Sequence, residues 1–125
     1  MFSIDLPSGV SMAGRPLAVV ADDDPDQRSA LARHLTGCGY AVHEASDGPA
    51  ALALIGELLP ELALLRRTLD GCDGERIAAL VPIVAPHTRV ILTSSRPDLV
   101  TGDAFPVLRR PVDPGQLDRC LAAAA

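Results

Sequence analysis

The chain has 125 residues, 48% of them hydrophobic but only 2% aromatic, and a net charge of −5 in which every basic residue is an arginine. That length makes one domain of ordinary size, able to bury an aliphatic core without disulfides or metals. The acidic balance excludes a nonspecific nucleic-acid binder and a protein that docks on anionic membranes, since both need a basic face.

Residues 1–15 read as a leader. Pro7, Gly9, Gly14 and several serines favour a disordered tail, whereas the alternation of Phe2, Ile4 and Leu6 with polar residues suits a strand that adds to a sheet edge or packs on a partner chain. The segment lacks the basic region and apolar stretch of a signal peptide. No apolar run reaches membrane-spanning length.

From Leu17 strand and helix alternate. Leu17 to Ala21 is a short apolar strand that stops at Asp22-Asp23. Asp24-Pro25 is an N-cap followed by proline at the first helical position, opening a helix to about Thr36 that Gly37 and Gly39 end. Tyr40 to Ala45 is a second strand, and Ser46 or Asp47 caps a helix to about Leu59. Leu62 to Leu65 is wholly apolar, as in a parallel sheet covered on both faces, and ends on Arg66. A helix follows from Gly74 to about Val84, which Pro82 must kink or shorten. Arg89 to Thr93 and Val107 to Arg109 are the remaining strands, and Asp113-Pro114 caps a last helix that runs into the alanine-rich end.

Such alternation predicts an α/β doubly wound parallel sheet with right-handed crossovers and a functional crevice at the carboxyl ends of the strands. Asp22, Asp23, Arg66, Thr93 and Arg110 all fall at or just after those ends.

The order Asp22-Asp23-Asp24-Pro25, a strand-end residue at Arg66, Asp73-Gly74, Thr93 and Arg110-Pro111 resembles the receiver domain of bacterial two-component response regulators. The resemblance covers residues 17 to 124 and implies a flavodoxin-like five-stranded sheet of order 2-1-3-4-5, with residues 16–125 as the receiver-like domain. It also implies that Asp22 and Asp23 match the acidic pair that holds Mg²⁺, and that Thr93 matches the hydroxyl that bonds the phosphoryl group. Arg110 stands where the family has a phosphate-pairing lysine, Pro111 matches the following, often cis, proline, and Asp73-Gly74 matches the turn after the phosphorylation loop.

The departures from that pattern are as informative as the matches. Arg66 occupies the place of the aspartate that accepts the phosphoryl group. A guanidinium is cationic and not nucleophilic, repels Mg²⁺, and can itself neutralise Asp22 and Asp23 through paired, even bidentate, bonds. Arg110 keeps the lysine's charge but replaces a point charge with a planar fork. Val107 stands where active receivers carry a switching aromatic, with Phe105 two residues off register. The span from Thr93 to Arg110, broken by Pro97, Gly102 and Pro106, is too short for a full fourth helix, which is expected to be shortened or missing.

Other signals are weaker. Asp70, four residues past Arg66, is better read as a solvated loop acid than as a displaced phosphoacceptor. His34 lines the first helix, and His43 and His87 share no metal-ligand spacing. Cys38, Cys72 and Cys120 show no C-x-x-C or His/Cys cluster, so zinc is not expected and reduced thiols in a cytoplasmic protein are. Arg67 to Asp70 and Arg110 to Asp113 both fit R-x-x-D, a short pattern associated with cyclic-dinucleotide binding, and Arg66-Arg67 and Arg109-Arg110 could bind phosphate as paired forks.

The expectation is a phosphorylation-independent interaction module, not an enzyme, with no cofactor and at most doubtful Mg²⁺. Its partners would be a histidine kinase, another response regulator or a second copy, and not nucleic acid or membrane. The alternatives are a working receiver phosphorylated at another residue and a nucleotide or anion sensor that uses the arginines.

Overall fold

The computed structural model describes residues 9–11, 13–69, 72–95 and 105–123. The elements are β1 (Leu17–Ala21), α1 (Pro25–Gly37), β2 (Ala41–Ala45), α2 (Gly48–Leu58), β3 (Leu62–Arg66), β4 (Thr68–Leu69), β5 (Cys72–Asp73), α3 (Gly74–Val84), β6 (Arg89–Ser94), β7 (Val107–Arg109) and α4 (Pro114–Ala122). The five longer strands form a parallel sheet in the order β2-β1-β3-β6-β7. Among these five strands alone that is the flavodoxin-like 2-1-3-4-5 order. The shortened or missing fourth helix falls on residues 96–104, outside the described residues, as does Asp70.

Side-chain alternation along the strands divides the core in two. Val19, Ala21, Ala63, Leu65, Val90 and Leu92 face α2 and α3, meeting Ala51, Ile55, Ile77 and Val81. Ala18, Val20, Leu62, Leu64 and Ile91 face the other way, meeting Leu31 and Leu35 of α1 and Leu117 of α4. The strands are apolar on both faces because both faces are covered. This division brings α1 and α4 together on one side of the sheet.

Caps set the helix starts. Asp24 accepts hydrogen bonds from the amides of Asp26 and Gln27, Asp47 from Ala50, Asp73 from Glu75 and Asp113 from Gly115. Pro82 lies inside α3, which continues to Val84 and stops there. The β4–β5 hairpin, two residues a strand and antiparallel, was not anticipated. It buries Leu69 against the α2–α3 side of the core. At the other end of the sheet the chain before β1 folds back on it. The Leu17 amide donates to the Gly9 carbonyl at 2.6 Å, and Val10 bridges to Pro16. Gly9 has a φ of +82°, and a Cβ there would meet the Leu59 carbonyl oxygen at 2.9 Å, so this close approach needs glycine.

Candidate functional site: an acidic pocket filled by arginines

Register explains why the candidate residues converge. Ala21 pairs with Leu65, Arg66 with Thr93, and Ser94 with Arg109, so the strands end level with one another. Asp22 and Asp23 leave β1, Arg66 closes β3, Thr93 lies near the end of β6, and Arg110 follows β7. The turn geometry matches as well, since the Arg110–Pro111 peptide is cis.

Asp22 is the most buried charged residue of the site, at 1% exposure. Its Oδ1 accepts the Asp24 amide at 2.9 Å, and its Oδ2 is ion-paired with Arg110 Nη1. Arg66 Nη1 donates to Asp23 Oδ1 at 2.5 Å and lies 3.8 Å from Asp22 Oδ1. The two arginines therefore divide the acids between them. Arg66 uses one nitrogen where a bidentate pair was conceivable, and Asp22 is held mainly by Arg110. A third arginine, unmarked in the sequence, completes the arrangement: Arg28 Nη1 donates to the Asp22 carbonyl at 2.8 Å, while its Nε bonds Glu44 at 3.2 Å. Asp24, the third acid of the run, serves as the cap of α1.

Thr93 is 1% exposed, and its hydroxyl has no hydrogen-bond partner among the described residues. Phe105 and Val107 both pack against the α2–α3 side of the core. Gly74 abuts the turn after β3: its amide donates to the Arg67 carbonyl at 2.8 Å, and a Cβ at Gly74 would sit 2.8 Å from that oxygen and closer still to the Arg66 carbonyl oxygen. Asp73-Gly74 thus starts α3 directly against the strand end that carries Arg66.

A model of the response regulator receiver domain matches residues 18–120. The chain belongs to the response regulator receiver family. This receiver is 44% identical over 79 residues to a Mycobacterium tuberculosis (strain CDC 1551 / Oshkosh) protein named "Probable transcriptional regulatory protein NarL", a match spanning 62% of this chain and 37% of that protein. It is 45% identical over 65 residues to the positive alginate biosynthesis regulatory protein of Pseudomonas aeruginosa, covering 49% of this chain and 26% of the relative. The matches thus span well under half the length of these curated relatives. Among solved structures, the signal receiver domain of an HD domain-containing protein from Pseudomonas fluorescens Pf-5 superposes with a TM-score of 0.78 at 26% identity, over 88% of this chain and 94% of that one. The receiver domain of NarL from M. tuberculosis gives 0.74 at 34% identity, over 85% and 92%.

Of the weaker signals, the second R-x-x-D places Arg110 on Asp22 and Asp113 at the cap of α4, so both residues have structural partners. Arg67 pairs with Glu75 at 3.0 Å. His43 and His87 are exposed. His34, by contrast, stands within reach of Cys38 and of Asp118 on α4, a His/Cys grouping where none was expected. The missed signal was spacing: positions i and i+4 share a helix face. Among the described residues no helix is long and apolar enough to cross a membrane.

Proposed function

We propose that this receiver works without phosphorylation, as a protein-interaction module in two-component signalling whose pocket carries its own cations. One observation carries the reading: at the end of β3, Arg66 forms an ion pair with Asp23, and Arg110 forms one with Asp22. Both acids that would hold a divalent cation have oxygens already on guanidinium nitrogens. Mg²⁺ binds close-set oxygen ligands in strict octahedral geometry, and two fixed positive charges at those oxygens oppose it. Arg66 offers no nucleophilic oxygen to a phosphoryl donor. The pocket is then held in one state, and the protein acts by binding rather than by catalysis.

An exposed apolar patch supports interaction as the output. Ile83 of α3 is 75% exposed, with Leu80 and Val84 beside it and Leu59 at the end of α2. Isolated apolar side chains on a surface are ordinary, but a cluster on one element suits a protein partner. The partner in this reading is a histidine kinase, another response regulator or a second copy of the chain.

The test is intact-mass measurement after incubation with acetyl phosphate and Mg²⁺. The wild-type chain is expected to stay unmodified. An Arg66→Asp variant that gains one phosphoryl group would show that the rest of the pocket remains competent. A phosphorylated wild type sinks the proposal.

A second reading has one observation in its favour. An open cleft of about 340 Å³ is lined by Asp24, Gln27, Arg66, Ser95, Arg110 and Pro111, so both pocket arginines border solvent-accessible space. An anion seated there would raise thermal stability, and the rise would vanish in Arg66→Ala.

A further inference from the structure

We propose that His34, Cys38 and Asp118 form a Zn²⁺ site that staples the end of α1 to α4 and leaves the fourth coordination position to water. The site lies on the α1–α4 side of the sheet and is independent of the arginine-filled pocket. Among the described residues it is the one group of three or more His, Cys and acidic side chains whose ligand atoms come within 4.8 Å of one another.

Local structure positions the ligands. His34 lies in the last turn of α1, and Cys38 follows at i+4. Cys38 caps the helix with φ −84° and ψ −1°, so helical geometry carries through to it and its Sγ stays on the face of His34. Asp118 comes from the middle of α4, which docks on α1 through Leu117, fully buried among Leu31 and Leu35. Two of the ligands thus stand on packed helices and the third on the residue that caps α1.

The distances suit zinc. His34 Nε2 is 3.8 Å from Cys38 Sγ, and Cys38 Sγ is 3.7 Å from Asp118 Oδ1. Tetrahedral Zn²⁺ has bonds of about 2.3 Å to sulfur and about 2.0–2.1 Å to nitrogen and oxygen, which puts its ligand atoms about 3.3–3.6 Å apart. Two of the three edges are therefore nearly at their metal-bound lengths. The third, His34 Nε2 to Asp118 Oδ1, is a hydrogen bond of 2.7 Å and has to open by roughly 0.6 Å to admit the ion.

The ligand types select the metal. A thiolate, an imidazole and a single carboxylate suit Zn²⁺ far better than Mg²⁺ or Ca²⁺, which prefer all-oxygen sets. On binding, the Cys38 thiol gives its proton to solvent and His34 coordinates through Nε2 in its neutral form. Cys38 and Asp118 are exposed, so the ion reaches the site from solution and water can complete the coordination.

Co²⁺ titration of the full chain, followed by sulfur-to-cobalt charge-transfer absorption in a non-chelating reductant, tests the site. One equivalent of Co²⁺ is expected to produce the band and one equivalent of Zn²⁺ to remove it. Cys38→Ser should abolish the band, and His34→Ala and Asp118→Asn should each weaken binding by about tenfold or more. Cys120→Ser should change nothing. Asp118→Asn preserves side-chain shape and carries the test alone if His34→Ala unfolds, as judged by circular dichroism. No band, a band that survives Cys38→Ser, or one unaffected by Asp118→Asn overturns the proposal.

Discussion

Arg66 and Asp23 are joined at 2.5 Å across the ends of β3 and β1, and about a third of each side chain remains exposed, at 28% and 30%. The neighbouring pair, Arg110 with Asp22, is 6% and 1% exposed. The same chemistry in two environments predicts two different energies. Arg66→Ala should cost about 1 kcal/mol or less, and high salt should erase most of that. Arg110→Ala leaves Asp22 as a buried carboxylate without its closer cation, Arg66 standing off at 3.8 Å, and should cost about 3 kcal/mol or more. Urea unfolding of both variants at low and high salt checks the contrast, and equal costs would contradict it.

Thr93 offers a stabilising substitution. Its hydroxyl is buried and has no hydrogen-bond partner among the described residues. Thr93→Val keeps the shape and removes the orphaned polar group, so stability should rise by about 1 kcal/mol. Thermal unfolding reads this directly. A destabilised variant would mean that the hydroxyl is bonded in solution.

Gly74 should tolerate no side chain. A Cβ there meets the Arg66 and Arg67 carbonyl oxygens, which are fixed by the strand and by the bond from the Arg67 amide to the Thr93 carbonyl. Backbone cannot swing aside as a side chain can. Gly74→Ala should cost about 2 kcal/mol or more and shift the start of α3. Gly37→Ala serves as the control, since a Cβ there meets nothing within 4 Å.

Tyr40 provides a pH prediction. Burial and the Glu61 carboxylate push its phenol above the ordinary tyrosine value, with Arg89 opposing and Cys38 adding to the rise. A raised value means that the folded chain holds this proton longer than the unfolded chain. The resulting stability is complete below the ordinary value of about 10 and is lost as pH rises through the folded value. Tyr40 is the sole tyrosine and there is no tryptophan, so ultraviolet titration reports it cleanly. The midpoint should lie above 10, and Glu61→Gln should lower it.

Much of this was legible in the residues. The Asp-Pro caps at Asp24 and Asp113 and the apolar runs of β1 and β3 marked elements within a residue or two of where they fold. These signals are local, and local signals survive in a one-dimensional reading. The β4–β5 hairpin was not legible, because two residues a strand carry no period. Nor was the sharing of the acids, since side-chain reach and burial decide whether Arg66 or Arg110 takes Asp22.

By itself, then, the sequence determined the order of the five sheet strands and the described helices, the aliphatic core and the placing of a guanidinium, Arg66, at a strand end. Those follow from residue identity, hydrophobic period and capping chemistry. Only the tertiary structure decided which atoms meet. Parallel register levels the strand ends, so Arg66, Asp22, Asp23 and Arg110 converge from positions as far apart in the chain as 22 and 110. Two-sided packing lays α4 on α1, bringing Asp118 to His34 and Cys38. Such meetings depend on the whole sheet closing at once, because each partner is placed by a different strand or helix and by the core that holds them together.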